Sequence, residues 1–425
     1  MNDIAVQKHP KGLYLLFFVE MWERFSYYGM RALIVLYMIQ ELLFSTEKAS
    51  NIYGLYTGFV YLTPLLGGYL ADRFIGQRRC ITLGAIFMCL GLFMLASGCH
   101  SIFLLALFLM IIANGFFKSN ISSVLGLLYG EDNESKDSGY TIFYMGINLG
   151  ALFSPLICGT LAIKYGFEAG FASAGVGMLI GLTCYKLFEN KLLGENGLKA
   201  LNNKTTLTEK ENSLTKEQKQ KIGALLILLL FTIIFWIGFE QAGSSLTLFA
   251  EYSTNRALWG HTIHTGYFQS LNPLYIILLA PLASIFWTKL REKKKEPTSV
   301  EKFTIALFLM SFAYLIMAYA GFLSETSLVS PLWLVLVYFI MTIAELCLSP
   351  IGLSLVSKLA PKKFLSLLMG TWFLSSFFGN LLAGYMGGKY GSISNIELFL
   401  TFAGLSLFAG VLLAILIPKL NKIML

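Results

Sequence analysis

The sequence predicts an all-α, polytopic membrane protein with twelve transmembrane helices arranged as two six-helix bundles. Three observations predict it. Of 425 residues, 56% are hydrophobic and only 13% charged, too little polar surface for a soluble chain of this length. Apolar runs of spanning length recur at about 13–41, 51–72, 80–98, 101–129, 139–163 and 168–188, then at about 222–250, 264–290, 302–323, 330–358, 365–387 and 394–418. Roughly 20 residues cross a bilayer, so the longer runs must tilt or protrude. A single long polar interval, Glu189 to Lys221, divides six from six. The expected domains are therefore 1–188, a cytoplasmic polar linker at 189–221, and 222–425.

The first segment carries the densest chemistry, Glu20-Met-Trp-Glu23-Arg24-Phe-Ser-Tyr27-Tyr28-Gly29-Met-Arg31. A charge near the bilayer centre costs about 2.5–3.5 kcal/mol on insertion scales, and here there are four. Glu20, Arg24, Tyr27 and Arg31 recur at helical spacing, so they form one polar stripe facing protein or a water-filled cavity. A Glu20–Arg24 pair at i,i+4 could merely glue helices together, but Arg31 needs a partner of its own. The stripe reads as the wall of a solute path. The tail before it, Met1 to Lys11, is polar, and the apolar run is too long for the core of a cleavable signal peptide.

The loops set orientation. Arg73, Arg78 and Arg79 follow segment 2, lysines fill the central linker, Arg291, Lys293, Lys294 and Lys295 follow segment 8, Lys358, Lys362 and Lys363 follow segment 10, and Lys419 and Lys422 end the chain. With twelve spans these all fall on one side, which the positive-inside rule makes cytoplasmic together with both termini. The net charge of +8 is thus an orientation signal and not a nucleic-acid footprint. The acidic run Glu131-Asp132-Asn133-Glu134 falls on the same side against the trend. The sequons at Asn120, Asn133 and Asn203 are intramembrane or cytoplasmic, so glycosylation is not expected. The six cysteines sit mostly in apolar runs without metal-ligand spacing and read as small packing residues. His9, His100, His261 and His264 all lie outside the apolar cores, which leaves any proton relay to carboxylates.

Three further ionisable residues lie deep in apolar runs: Lys118 in segment 4, Glu240 in segment 7 and Glu345 in segment 10. Six-plus-six transporters commonly relate their halves by a pseudo-two-fold axis, which makes segment 1 equivalent to 7 and segment 4 to 10. The bases Arg24, Arg31 and Lys118 then face the acids Glu240 and Glu345 across a cavity, an arrangement suited to gating by ion pairs. Fixed pairs holding the halves together are the competing account. Four acids (Glu20, Glu23, Glu240, Glu345) against three bases leave the site one proton short of neutrality. One proton entering down about 100 mV supplies roughly 2.3 kcal/mol and one pH unit about 1.4, together enough to concentrate a neutral solute a few hundred-fold. Asn272-Pro273, Pro281 and Ser349-Pro350 place helix breakers beside polar groups, tolerated at membrane depth where they line a cavity or hinge. Tyr28, Tyr61, Trp236 and Trp372 could line pockets, though a single aromatic is more often packing.

The motifs together resemble a known family. Glu20-x-x-Glu23-Arg24-Phe25-x-Tyr27-Tyr28-Gly29 is similar to the ExxERFxYYG signature of the proton-coupled oligopeptide transporter family (POT/PTR) of the major facilitator superfamily. Phe143-Tyr-Met-Gly-Ile-Asn148-Leu-Gly resembles its second signature, and Gly68-Tyr-Leu-Ala-Asp72-Arg73-Phe-Ile-Gly76-Gln-Arg78-Arg79 the superfamily's loop between helices 2 and 3. Phe239-Glu240-Gln241-Ala242-Gly243-Ser244, and Glu345 with Ser349-Pro350, fit as well, so the likeness runs from about residue 11 to 390. The resemblance implies the major facilitator fold and import of di- and tripeptides by proton symport through alternating access. It places Glu20, Glu23, Arg24 and Glu240 in proton coupling. Arg24, Tyr28, Arg31 and Lys118 would surround the peptide carboxylate, and Asn148, Asn272 and Glu345 its amino terminus. Tyr61, Trp236 and Trp372 would line side-chain pockets, with Arg31–Glu240 and Lys118–Glu345 as gating pairs. A zwitterion with fixed end charges and a variable middle asks for that division of labour.

The chain departs from the family twice. Typical prokaryotic members carry two extra helices between the halves, for which this linker is too short and polar. Animal members have a functional histidine in helix 2 where Gly54 stands here. The resemblance further implies a monomer in the cell's inner (plasma) membrane, with protons as coupling ion, no cofactor and no metal. A same-fold carrier of nitrate or an organic acid is the nearest alternative, and a transport-dead nutrient sensor the next. An enzyme is disfavoured, because no His/Cys metal cluster or GxSxG elbow lies at membrane depth.

Overall fold

The computed structural model describes residues 9–130, 133–200, 215–258, 260–359 and 365–424. Glu131, Asp132, Lys362, Lys363, and residues 201–214 of the central linker with the sequon at Asn203 lie outside them. The helices in chain order are α1 Lys11–Gln40, α2 Thr46–Leu70, α3 Gln77–Ala96, α4 Phe103–Tyr129, α5 Asn133–Tyr165, α6 Phe167–Leu193, α7 Lys216–Phe239, α8 Ser245–Tyr252, α9 Leu271–Glu292, α10 Ser299–Leu323, α11 Leu332–Leu359, α12 Leu365–Gly387 and α13 Asn395–Met424. All but α8 coincide with an expected apolar segment. The all-helical, many-span architecture is therefore as the sequence predicts.

Nine spans among the described residues are long and apolar enough to cross a bilayer. Neither α1 nor α2 is among them, for opposite reasons. Four charges interrupt α1, and α2 is diluted by glycine, tyrosine and threonine. Both helices therefore depend on protein neighbours for what lipid would not supply.

Helix ends follow local chemistry. Thr215 and Thr298 cap α7 and α10 by accepting from the backbone N–H of Gln218 and Glu301, whose side chains reach back to the cap nitrogens. Asn272-Pro273 falls in the first turn of α9, where a missing N–H costs nothing. One expected segment divides: at Glu240–Gly243 the chain tightens into a 3-10 turn before resuming as α8.

The chain forms two compact units, Met1–Leu33 with Leu62–Thr206, and Ile34–Tyr61 with Leu207–Leu425. In the first, backbones approach through glycine. A Cβ at Gly67 of α2 would meet the Gly115 carbonyl oxygen of α4 at 1.9 Å, and one at Gly84 of α3 the Ala113 oxygen at 2.7 Å. Such small-residue crossings supply the dispersion contact that drives helix association where lipid removes the hydrophobic effect. Arg78 is not a solvated orientation charge. It is 2% exposed, donating to Glu189 Oε2 at 3.2 Å and to the Gly194 carbonyl at 2.8 Å, while its own backbone N–H bonds the Gly197 carbonyl. It thereby pins the chain leaving α6 against the start of α3.

In the second unit, the first half of α2 zips along α12. A Cβ at Gly54 would lie 2.7 Å from the Gly384 Cα, Phe59 meets Phe377 edge to face at 5.5 Å, and the Tyr53 hydroxyl sits on Gly243. No side chain fits at position 54, which accounts sterically for a glycine there.

The loop between α8 and α9 holds a two-residue antiparallel hairpin, Ala257–Leu258 with His261–Thr262. Beside it His264, outside the spans, is buried and accepts from the Gly266 N–H at 2.9 Å. Burial, with Arg256 nearby, pushes its imidazole down to about 4. A lowered histidine favours the neutral fold, so the loop keeps its full stability above the ordinary value near 6.5 and loses it as pH falls toward 4. Hydrogen exchange over residues 253–270, taken relative to the intrinsic rate of an unprotected amide at each pH, should show falling protection between pH 7 and pH 4.5 in the wild type but not in His264→Asn. An equal response in both would assign the effect to other groups.

Candidate functional site

The sequence stripe on α1 is a buried charge cluster. Glu20, Glu23 and Arg24 are 3%, 0% and 4% exposed. Arg24 Nε stands 3.2 Å from Glu20 Oε1 across one helical turn and is hydrogen-bonded directly to Glu23. Two carboxylates thus share one guanidinium. Lys118 of α4 lies within electrostatic range of Glu20. Among the described residues, Glu20 Oε2, Glu23 Oε1 and Arg24 Nη2 are buried without a hydrogen-bond partner. Buried polar atoms almost always find partners, and unmatched charge in low dielectric is costly. Both acceptors and donor are therefore left open to a proton or a ligand.

The two arginines are linked by aromatic rings. The Arg24 guanidinium lies 5.3 Å from the Tyr27 ring centre and that of Arg31 5.8 Å from Tyr28, the two rings meeting edge to face at 5.1 Å. Such contacts hold a cation while leaving its N–H donors directed elsewhere.

α5 supplies the positioning that sequence reasoning missed. Cβ atoms at Gly146 and Gly150 would lie 2.9 Å from the Phe17 ring and 2.2 Å from the Met21 carbonyl oxygen, the second also 3.1 Å from Arg24 Cβ. These glycines, four apart, let α5 press on the α1 backbone where the charges sit. Asn148, on the same stretch, is 4% exposed and donates to the Tyr144 carbonyl at 3.0 Å. The signal was available, since both glycines stand in the second motif.

In the second unit Asn272 of α9 donates to Glu345 Oε2 at 2.8 Å and to Thr342 Oγ1 at 3.1 Å, joining two predicted residues from different helices. Glu240, 2% exposed, sits in the break of α7. The break is held by its neighbour Gln241, also missed. Its amide donates to the Ile237 and Ala383 carbonyls at 3.1 and 3.0 Å, and its oxygen accepts from Ser244 and Ser245 at 3.0 and 2.7 Å. The Tyr314 hydroxyl donates to the Gly238 carbonyl at 2.6 Å. Trp236 meets Phe235 and Phe239 at 5.4 Å each, its buried indole N–H having no hydrogen-bond partner among the described residues. Trp372 is buried, edge-on to Phe303 at 6.0 Å and packed on Gly352. Tyr61 is half-buried on α2.

This many-span protein thus buries carboxylates and a cation together in its first unit and an acid at a broken helix in its second. The sequence model for PTR2, the POT family, matches residues 78–191 and 190–395. The uncharacterized transporter YclF of Bacillus subtilis is 35% identical over 98% of this chain and 95% of its own. The peptide transporter YePEPT of Yersinia enterocolitica is 34% identical over 89% and 88%, and the di-/tripeptide transporter of Lactococcus lactis 32% over 98% and 96%. A mutant of peptide transporter POT in complex with alafosfalin superposes with a TM-score of 0.93 at 33% identity, covering 99% and 97% of the two chains. A POT family transporter in complex with 5-aminolevulinic acid gives 0.89 at 30%, covering 98% of each. The chain belongs to the POT family.

Gly150→Leu should force α1 and α5 apart, lowering stability by about 1–3 kcal/mol as overpacked contacts do, seen as a lower thermal midpoint. Gly404→Leu, where no atom lies within 4 Å of the added Cβ, is the control. Equal behaviour of the two would remove the close approach as a constraint.

Proposed function

We propose that this chain is a proton-coupled symporter importing di- and tripeptides by alternating access. The observation that carries the reading is the Glu20–Glu23–Arg24 cluster, buried, joined through one guanidinium, and with two carboxylate oxygens and one guanidinium nitrogen unmatched. A proton on either acid removes the surplus negative charge and weakens its hold on Arg24, which can then take a peptide carboxylate. The protein's acids and the peptide carboxylate thus compete for one cation, so a proton taken up by an acid favours peptide binding and the two are coupled through Arg24.

The remaining roles follow. Arg24, Arg31, Tyr28 and Lys118 hold the peptide carboxylate. Asn148, Asn272 and Glu345 hold its amino terminus, the Asn272–Glu345 hydrogen bond presetting that acceptor. Tyr61, Trp236 and Trp372 accept side chains, and Glu240 joins proton coupling. Arg31–Glu240 and Lys118–Glu345 serve as gating pairs. The glycine contact of α2 on α12 is a closure that separation of those helices would open, which supports alternating access. The names of relatives, di-/tripeptide transporters among them, support the substrate class. The proposal includes twelve spans in two six-helix bundles, 1–188 and 222–425, joined by a linker at 189–221. It also includes a monomer in the inner (plasma) membrane with both termini cytoplasmic, and protons in place of any cofactor.

Proteoliposomes carrying an inward proton gradient should accumulate a labelled dipeptide, and an ionophore should abolish the accumulation. Glu20→Gln should lose accumulation yet keep peptide exchange. Absence of dipeptide flux from folded, inserted wild-type protein would overturn the substrate, and gradient-driven uptake by Glu20→Gln would overturn the coupling role.

A further inference from the structure

The second unit contains a cavity of about 880 Å³ at the end where α9 stops and α10 begins, with no residue of the proposed peptide site in its lining. Trp287 and Arg291 of α9, Lys302 of α10, Pro350 and Lys358 of α11, and Glu296 of the connection line it. Three cations face one carboxylate. That carboxylate is shared, with Arg291 Nε at 2.6 Å and Lys302 Nζ at 2.7 Å. Lys302 forms a floor: its side chain is 9% exposed and its ammonium lies 4.4 Å from the Trp287 ring centre. Arg291 and Lys358 are exposed at the rim. Two positive charges thus remain over an opening that solvent-sized groups can enter.

The position selects the ligand. Candidate spans run Thr265–Glu292 and Ser299–Leu323, so Arg291 and Lys302 sit where hydrocarbon gives way to headgroups. A second groove of about 540 Å³ shares Glu296 and Pro297 with the first and lies between α10 and α13, lined near the helix start by Glu301 and Thr304 and deeper by Ile305, Phe308, Ala414 and Ile417. Phe308 is nine residues into α10, about 13 Å along its axis at 1.5 Å per residue, which is most of one leaflet. A cationic chamber at headgroup level, adjoining at Glu296 and Pro297 a groove whose deeper lining is apolar, matches a molecule with a phosphate at one end and a chain at the other. Basic pockets between spanning helices are a recurrent way to hold anionic headgroups.

We propose that this is a binding site for one anionic phospholipid, its phosphate between Arg291, Lys302 and Lys358 and one acyl chain in the groove beside Phe308 and Ala414. The bound lipid would brace α9 against α10 and α11.

Native mass spectrometry of the purified full-length protein, titrated with phosphatidylglycerol or phosphatidylcholine of identical chains, tests it. The wild type should retain one phosphatidylglycerol on the order of tenfold better than phosphatidylcholine. Arg291→Gln with Lys358→Gln, both exposed and so compatible with folding, should bring the two lipids level. Ala414→Trp should fill the groove and weaken phosphatidylglycerol with the cations intact. No preference in the wild type, or an undiminished one in the double variant, would overturn the site. Displacement by chain-free glycerophosphoglycerol at equal concentration would overturn the lipid assignment in favour of a soluble phosphate.

Discussion

Everything in this molecule answers to the burial of charge on α1. Glu20, Glu23 and Arg24 lie within one helical turn with almost no exposure, where each ion costs several kcal/mol in desolvation unless matched. The match is deliberate in kind and incomplete in number, because one guanidinium serves two carboxylates. A structural ion pair would close its hydrogen bonds, whereas this one leaves acceptors and a donor open. Incompleteness is what allows a proton or a carboxylate to change the balance.

Keeping such a cluster in place requires rigid surroundings, and these come from backbone contact. Gly146 and Gly150 set α5 on α1, Gly67 meets Gly115 between α2 and α4, and Gly54 meets Gly384 between α2 and α12. Glycine at these points trades helix propensity for approach. Around the break in α7 the same role passes to hydrogen bonds. Gln241 satisfies its whole amide against α7, α8 and α12, so an acid at Glu240 can sit on an interrupted helix without an unravelled backbone.

Much of this was legible in the sequence. The apolar runs gave the helices because hydrocarbon thickness fixes their length, and the α1 stripe stood out because charge in such a run is expensive. The Asn272–Glu345 partnership was readable only through family likeness. Other features could not be read from periodicity. Arg78 looks like any loop cation until Glu189, 111 positions later, is seen against it. The break at Glu240–Gly243 leaves no proline to mark it. The joining of residues 34–61 with the second unit depends on glycine contacts more than 300 positions apart. Long-range packing decides these, and a local pattern carries no record of it.

The central claim is that proton and peptide meet at one cluster. Calorimetric titration of the purified protein with a dipeptide, in buffers of different ionisation enthalpy at one pH, reads protons exchanged with the buffer on binding. The account predicts a buffer-dependent heat corresponding to net proton exchange in the wild type, reduced in Glu20→Gln while peptide still binds. A heat independent of buffer in the wild type, or unchanged exchange in the variant, would contradict it.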